Sequence, residues 1–246
     1  MSTIYSEGRL SNYFIKPEYK ANDAAITNEV VSGQHYWNEA RVRLSLRYQY
    51  PVYMSAKKLI SRGGIRHVID VGCGVATKLE MLHDVFPGVE FTGIDQPSTI
   101  EFCRRRYPFG RWVADDLECP DGDLLALKGD LVICADVIEH LGDPDILLEY
   151  LKARARPGGV ILLSTPERDA LRGPSCNSSP NKFHVREWNQ SELRAYLQTA
   201  GFSIIWHELQ LPVRTEFSRT FYTHVVKPAL TGRPVRWNQV CLLGVE

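Results

Sequence analysis

The chain has no excess of charge: 29 Lys plus Arg balance 29 Asp plus Glu over 246 residues. A protein with no net field does not gather nucleic acid or anionic membrane by charge alone; only a local basic patch would do so. Long apolar runs are also missing, none approaching the roughly 18 residues of a membrane-crossing helix. The opening stretch MSTIYSEGRLSNYF has no hydrophobic leader core,. These absences predict a cytoplasmic protein without a membrane span. The six cysteines, at 73, 103, 119, 134, 176 and 241, form no Cys-x-x-Cys pair. That weighs against a disulfide framework and predicts free thiols in a reducing compartment. There is no internal repeat. The hydrophobic content of 44% is enough for one full core with extensions,.

What is present is concentrated at residues 68–76, Val-Ile-Asp-Val-Gly-Cys-Gly-Val-Ala. An apolar run from Ile65 enters a turn at Gly72 and Gly74, and a helix-like segment, Ala76 to Phe86, follows. Strand, glycine turn and helix together let backbone approach a nucleotide-like ligand closely. The Gly-x-Gly-x-x-Gly dinucleotide fingerprint is absent. A second apolar run, Val89 to Ile94, ends in Asp95, about twenty residues beyond the turn, where a carboxylate can accept both ribose hydroxyls. A third, Arg111 to Ala114, ends in Asp115-Asp116, and a fourth, Asp130 to Ala135, ends in Asp136. A single aspartate after a strand is most simply a helix cap. Four strand ends in order, each in or beside an acidic residue, describe a ligand site at the carboxyl edge of an open α/β sheet.

The segments VIDVGCGVA, FTGIDQP, WVADDLECP, DLVICADVIEHLGDP and RPGGVILLSTPE, in this order and spacing, resemble class I S-adenosylmethionine-dependent methyltransferases over residues 64–209. The resemblance implies a Rossmann-like, doubly wound seven-stranded sheet, mostly parallel with an antiparallel last strand. It implies S-adenosylmethionine as cofactor. By position, Asp70, Gly72, Cys73 and Gly74 would hold its methionine end, with Ala135 beside the amine. Asp95 and Gln96 would meet the ribose, and Asp115, Asp116 and Leu117 the adenine. Ala76 stands where many members carry a third glycine.

Residues 1–62 read as an N-terminal helical extension or lid, with a helix over 35–61 interrupted at Pro51 and ended by Gly63-Gly64,. Residues 63–246 form the methyltransferase domain, with strand–helix alternation over 65–165. Asp143-Pro144 starts a helix, and Pro157-Gly158-Gly159 turns into strand five. A polar loop spans 166–190. Asn189 to Glu192 resembles a capping box for a helix ending at Gly201. Two last strands, Phe202 to Leu209 and Gln239 to Val245, flank an inserted segment at about 212–236, helical over Phe217 to Val226.

Two segments offer chemistry at the methyl end. In Asp136-Val137-Ile138-Glu139-His140, a helical turn places 136, 139 and 140 on one face. The other is Lys182 to Trp188, carrying His184, in the long loop. Together they resemble metal-assisted O-methyltransferases: small-RNA 3′-terminal 2′-O-methyltransferases and some ubiquinone-pathway and sugar O-methyltransferases. That resemblance implies Asp136, Glu139, His140 and His184 as ligands of a divalent cation such as Mg, and His184, His140 and Glu139 as catalytic residues. Asp136 is shorter than the glutamate usual in the RNA enzymes. The simple alternative is that Glu-His-Leu caps and packs the following helix. Arg104-Arg105-Arg106 reads as a solvated helix end and His67 as packed.

The resulting expectation is O-methylation of a hydroxyl or carboxylate on a small-molecule acceptor, such as a sugar or natural product. One rival is a metal-dependent RNA ribose 2′-O-methyltransferase, against which zero net charge weighs. The other is a catalytically silent binding protein on the same fold.

Overall fold

β1 (His67–Val71) is buried along its whole length, as a strand covered on both faces must be. Its alternate residues feed two cores: Ile69 and Val71 join one apolar cluster and Val68 the other, on the opposite face,. The computed structural model describes residues 12–26, 39–120, 126–211, 218–233, 235 and 237–245. The chain then alternates: α3 (Thr77–His83), β2 (Glu90–Asp95), α4 (Pro97–Arg106), β3 (Arg111–Ala114), β4 (Gly129–Ala135), α5 (Pro144–Arg154) and β5 (Ala155–Pro166). A short α6 (Arg168–Arg172) lies in the long loop, and α7 (Gln190–Thr199), β6 (Ser203–Gln210) and β7 (Asn238–Gly244) complete the fold. Two helices, α1 (Glu39–Tyr48) and α2 (Tyr50–Ser61), precede β1.

The sheet has seven strands in the order β3-β2-β1-β4-β5-β7-β6. β1 to β5 pair in parallel; β7 runs antiparallel between β5 and β6. The strand order reverses between β1 and β4, which opens a crevice at their carboxyl ends. Among the described residues no helix is long and apolar enough to cross a membrane, and all six cysteines are free.

Several local expectations need correction. The helix expected over 35–61 breaks at Gln49, not at Pro51, which lies in the first turn of α2, where its missing N–H costs no hydrogen bond. Residues 35–38 lie outside the described residues, as do 212–217 of the inserted segment, whose helical stretch runs over 219–230. The glycine pair at 158–159 does not end in a turn but is absorbed into β5, with Gly158 at φ +75°. Residues 12–26, without periodicity in sequence, bury Tyr13, Ile15 and Tyr19 in the core cluster that also holds Trp188. Asn189 and Glu192 form the expected capping box on α7.

Candidate active site

The glycine turn is built for a close approach. Gly72 and Gly74 have φ of +76° and +57°, and a Cβ at Gly72 would stand 2.4 Å from Val137 Cγ2. Ala76 caps α3 in the same left-handed region, at φ +57°, a conformation that strains any residue with a Cβ. The Gly72 and Cys73 amides both donate to the Ile94 carbonyl, so the turn is tied to β2. Cys73 is fully buried and its thiol packs under the turn against Gly93; its side chain faces the core.

Asp95 ends β2 half-buried. Its carboxylate accepts from the Gly74 amide at 2.8 Å and the Gln96 amide at 2.8 Å. Burial raises its pKa, and those two amides oppose the rise. Each oxygen keeps acceptor capacity for a diol. Asp115 is 7% exposed and turned inward. It takes the Tyr150 hydroxyl at 2.7 Å and the Asp116 amide at 2.9 Å, while Asp116 is exposed and Leu117 half-buried. Asp70 is fully buried. Its Oδ2 accepts the Tyr53 hydroxyl at 2.7 Å, and Oδ1 has no partner. Burial lifts its pKa to about 6, against the pull of Lys78 and Tyr53. The Ala135 carbonyl accepts from Gln49 Nε2 at 2.8 Å.

The two chemical segments meet beyond the end of β4. The Val185 amide donates to the Glu139 carbonyl at 2.8 Å, Arg186 donates to the carbonyls of Leu141 and Gly142 at 3.0 Å, and His140 Nδ1 lies 2.6 Å from the Phe183 carbonyl. One Glu139 oxygen and one ring nitrogen each of His140 and His184 lie within 4.8 Å of one another. The two rings meet edge to face, 4.9 Å between centroids. Glu139 is 1% exposed and accepts from Thr165 Oγ1 at 2.9 Å; burial, reinforced by the Asp136 charge, pushes its pKa well up.

His184 Nδ1 faces Glu187 Oε1 at 2.6 Å. Glu187 has no exposure at all, yet His184, Arg172 and Ser179 all hydrogen-bond it. Burial alone would raise its pKa; the His184 and Arg172 hydrogen bonds hold it down at about 2. A carboxylate and a carbonyl only accept, so both histidines donate through Nδ1, and a neutral ring held in this way bears its lone pair on Nε2. Imidazoles anchored through Nδ1 in this way are oriented to ligate or accept through Nε2.

Asp136 is not one of the three mutually close donors, although its charge acts on Glu139 and interacts with His184. It has φ +54°, and its carboxylate accepts from Ser164 Oγ at 2.8 Å and Asn238 Nδ2 at 3.1 Å. Of the four residues expected to share an ion, the structure gathers three. Sequence reading missed Thr165, Ser164 and Asn238, and gave Glu187, inside its 182–188 segment, no role. Only Glu187 had a local signal, the His-x-x-Glu spacing; the others arrive from β5 and β7.

Among the remaining motifs, His67 is packed as expected, its nitrogens meeting the Lys128 carbonyl and Thr92 Oγ1 at 2.9 Å. Arg104, Arg105 and Arg106 end α4 exposed, as expected, with Arg104 also donating to the Trp112 carbonyl.

Comparison with known proteins gives a consistent picture. Residues 36–207 match the family model described as "Methyltransferase domain". A probable S-adenosylmethionine-dependent methyltransferase of Mycolicibacterium smegmatis is 34% identical over 151 residues, 60% of this chain and 56% of that protein. The ubiquinone biosynthesis O-methyltransferase of Coxiella burnetii is 28% identical over 140 residues, 55% of this chain and 58% of its own length. The alignment thus spans little more than half of these curated relatives. In fold, the chain is similar to the plantazolicin methyltransferase BpumL in complex with SAH (TM-score 0.59, 13% identity, all of both chains). It is equally similar to an S-adenosylmethionine-dependent methyltransferase from Mesorhizobium loti (TM-score 0.59, 19% identity, 81% of this chain and 99% of that one).

Proposed function

The chain belongs to the methyltransferase-domain family, and from that premise we propose that it transfers the methyl group of S-adenosylmethionine to an oxygen atom, hydroxyl or carboxylate, of a small-molecule acceptor. The carrying observation is the convergence of Glu139, His140 and His184 at the end of β4, next to the carboxyl edge at which the family's cofactor would lie. When bound, the cofactor supplies a methyl already activated on a sulfonium, so the protein's work is alignment and proton handling.

The residues suit that cofactor. Asp95 offers acceptors for ribose hydroxyls, the Gly72–Gly74 turn leaves no Cβ in the way, and Asp70 keeps a buried, unpartnered oxygen for a cationic group. Asp115, Asp116 and Leu117 flank the adenine position, with Asp115 fixed by Tyr150. At the acceptor side, His184 held by Glu187 presents a lone pair that takes the hydroxyl proton,.

The same three residues fit a divalent cation; with an ion bound, the His184 Nε2 lone pair would be a ligand and not the base, and the ion would then do the work of activating the hydroxyl. Two imidazole nitrogens and one carboxylate favour Mn, Co or Zn over Mg, which prefers an oxygen shell. Such an ion would lower the pKa of an acceptor hydroxyl. A three-donor group on an O-methyltransferase-like turn supports an oxygen acceptor; the C. burnetii relative is named for O-methylation.

Calorimetric titration with S-adenosylhomocysteine, with and without Mn, tests the reading. Saturable micromolar binding is expected, followed by methyl transfer to hydroxylated aromatic or sugar acceptors. Absence of binding in both conditions would overturn it in favour of a silent scaffold.

A further inference from the structure

Lys78, in the first turn of α3, is 3% exposed. Lysines are almost never buried without a paired charge. Here the ammonium donates to Gln49 Oε1 at 2.6 Å and lies 5.3 Å from the centroid of the Tyr53 ring. Among the described residues no carboxylate stands within ion-pair distance. A neutral amide and a ring face leave this three-proton group short of a counter-charge. Burial lowers its pKa while the charge of Asp70 opposes that.

On the other side of the glycine turn lies the complementary deficit. Asp70 is 0% exposed, Oδ2 holds the Tyr53 hydroxyl at 2.7 Å, and Oδ1 holds nothing. Two opposite buried charges therefore flank one turn, close enough to influence each other but each with unused hydrogen-bonding capacity. Both are fixed from the N-terminal helices. Gln49 links Lys78 to the Ala135 carbonyl, 2.8 Å away on β4, and Tyr53 orients Asp70. The desolvation of both groups is already complete before any ligand arrives, so a ligand carrying both charges meets them without that cost recurring.

We propose that Lys78 is the counter-ion for the α-carboxylate of the cofactor's amino-acid tail, paired with Asp70 for its α-ammonium, so that the site selects a zwitterion. This deepens the cofactor reading above and rests on it. It also accounts for the N-terminal helices, since Gln49 and Tyr53 hold the two charges in place.

Calorimetry with three probes tests it: S-adenosylhomocysteine, its decarboxylated analogue, and 5′-methylthioadenosine, which lacks the amino-acid tail. Wild type is expected to prefer S-adenosylhomocysteine over the decarboxylated analogue by roughly ten- to a hundredfold. In Lys78→Met that preference collapses while 5′-methylthioadenosine affinity stays unchanged, which also certifies the fold of the variant. Equal wild-type affinity for the first two probes overturns the proposal without any variant, as does undiminished S-adenosylhomocysteine binding by Lys78→Met. Failure of wild type to bind all three overturns the cofactor reading itself.

Discussion

His184 Nδ1 stands 2.6 Å from a Glu187 carboxylate oxygen that has no contact with solvent. The ring belongs to a loop, but its orientation is as constrained as that of a core residue. Glu187 is itself fixed by Arg172 and Ser179, and its backbone amide donates to the Tyr19 hydroxyl at 3.0 Å. Trp188 next to it is fully buried and its indole donates to the Tyr13 carbonyl.

This relationship predicts that Glu187 positions His184. His184→Ala should lower kcat by on the order of a hundredfold or more with cofactor affinity intact. Glu187→Gln should lower kcat by about ten- to a hundredfold, as partners that orient an imidazole do, and Glu187→Asp should recover part of it. Steady-state kinetics and calorimetry check the split; unchanged kcat in Glu187→Gln would leave the pair a structural hydrogen bond only.

Asp95→Ala should weaken S-adenosylhomocysteine binding by about 1.5–3 kcal/mol, the scale of hydrogen bonds to a charged group. The loss includes release of the Gly74 and Gln96 amides, which now donate to Asp95. Calorimetry reads it directly. Full affinity in the variant would remove Asp95 from the ribose site.

The grouping of Glu139, His140 and His184 without Asp136 predicts an asymmetric response to metal. Chelator should abolish turnover, and Mn or Co should restore it more fully than Mg. Glu139→Gln and His140→Ala should lose Mn binding, whereas Asp136→Asn, whose carboxylate serves Ser164 and Asn238, should retain it. Full activity in chelator would confine the three residues to acid–base and structural work.

His207 gives a pH dependence of stability. It is 8% exposed, its Nε2 bonds Gln239 Oε1 at 3.1 Å and its Nδ1 has no partner. Burial brings its pKa down from 6.5 to about 4. The unfolded chain therefore binds the extra proton first, and stability falls as pH drops from 6.5 towards 4, by about 3 kcal/mol at most. Thermal unfolding across that range should show the decline, and His207→Gln, which still donates to Gln239, should flatten it. A parallel decline in the variant would assign it to other groups.

The alternation of apolar runs with glycine, proline and cap signals makes the sheet and its helices legible in the sequence, because strand and helix periodicities are local. The end of β2 at Asp95 and the capping box at Asn189 are of this kind. Less legible are elements set by distant packing. Residues 12–26 have no period of their own, since Tyr13 and Tyr19 are buried by the 185–192 loop and α7 rather than by neighbours in sequence. The break at Gln49 is invisible for a related reason: its amide reaches across to β4 and α3.

Family membership and the residue types standing at the carboxyl edge of the sheet follow from local sequence, because a motif dictates backbone shape within a few residues. Which side chains face one another follows from tertiary packing. Asp136, three residues before Glu139, swings away to Ser164 and Asn238 because its backbone is left-handed and β5 and β7 place donors beside it. His184, 44 positions beyond His140, comes within ring contact because the loop's amides are hydrogen-bonded to the turn after β4. Spacing along a chain says which groups can share a face; only the packing of strands and loops from elsewhere settles which charges end up buried, paired or left waiting for a ligand.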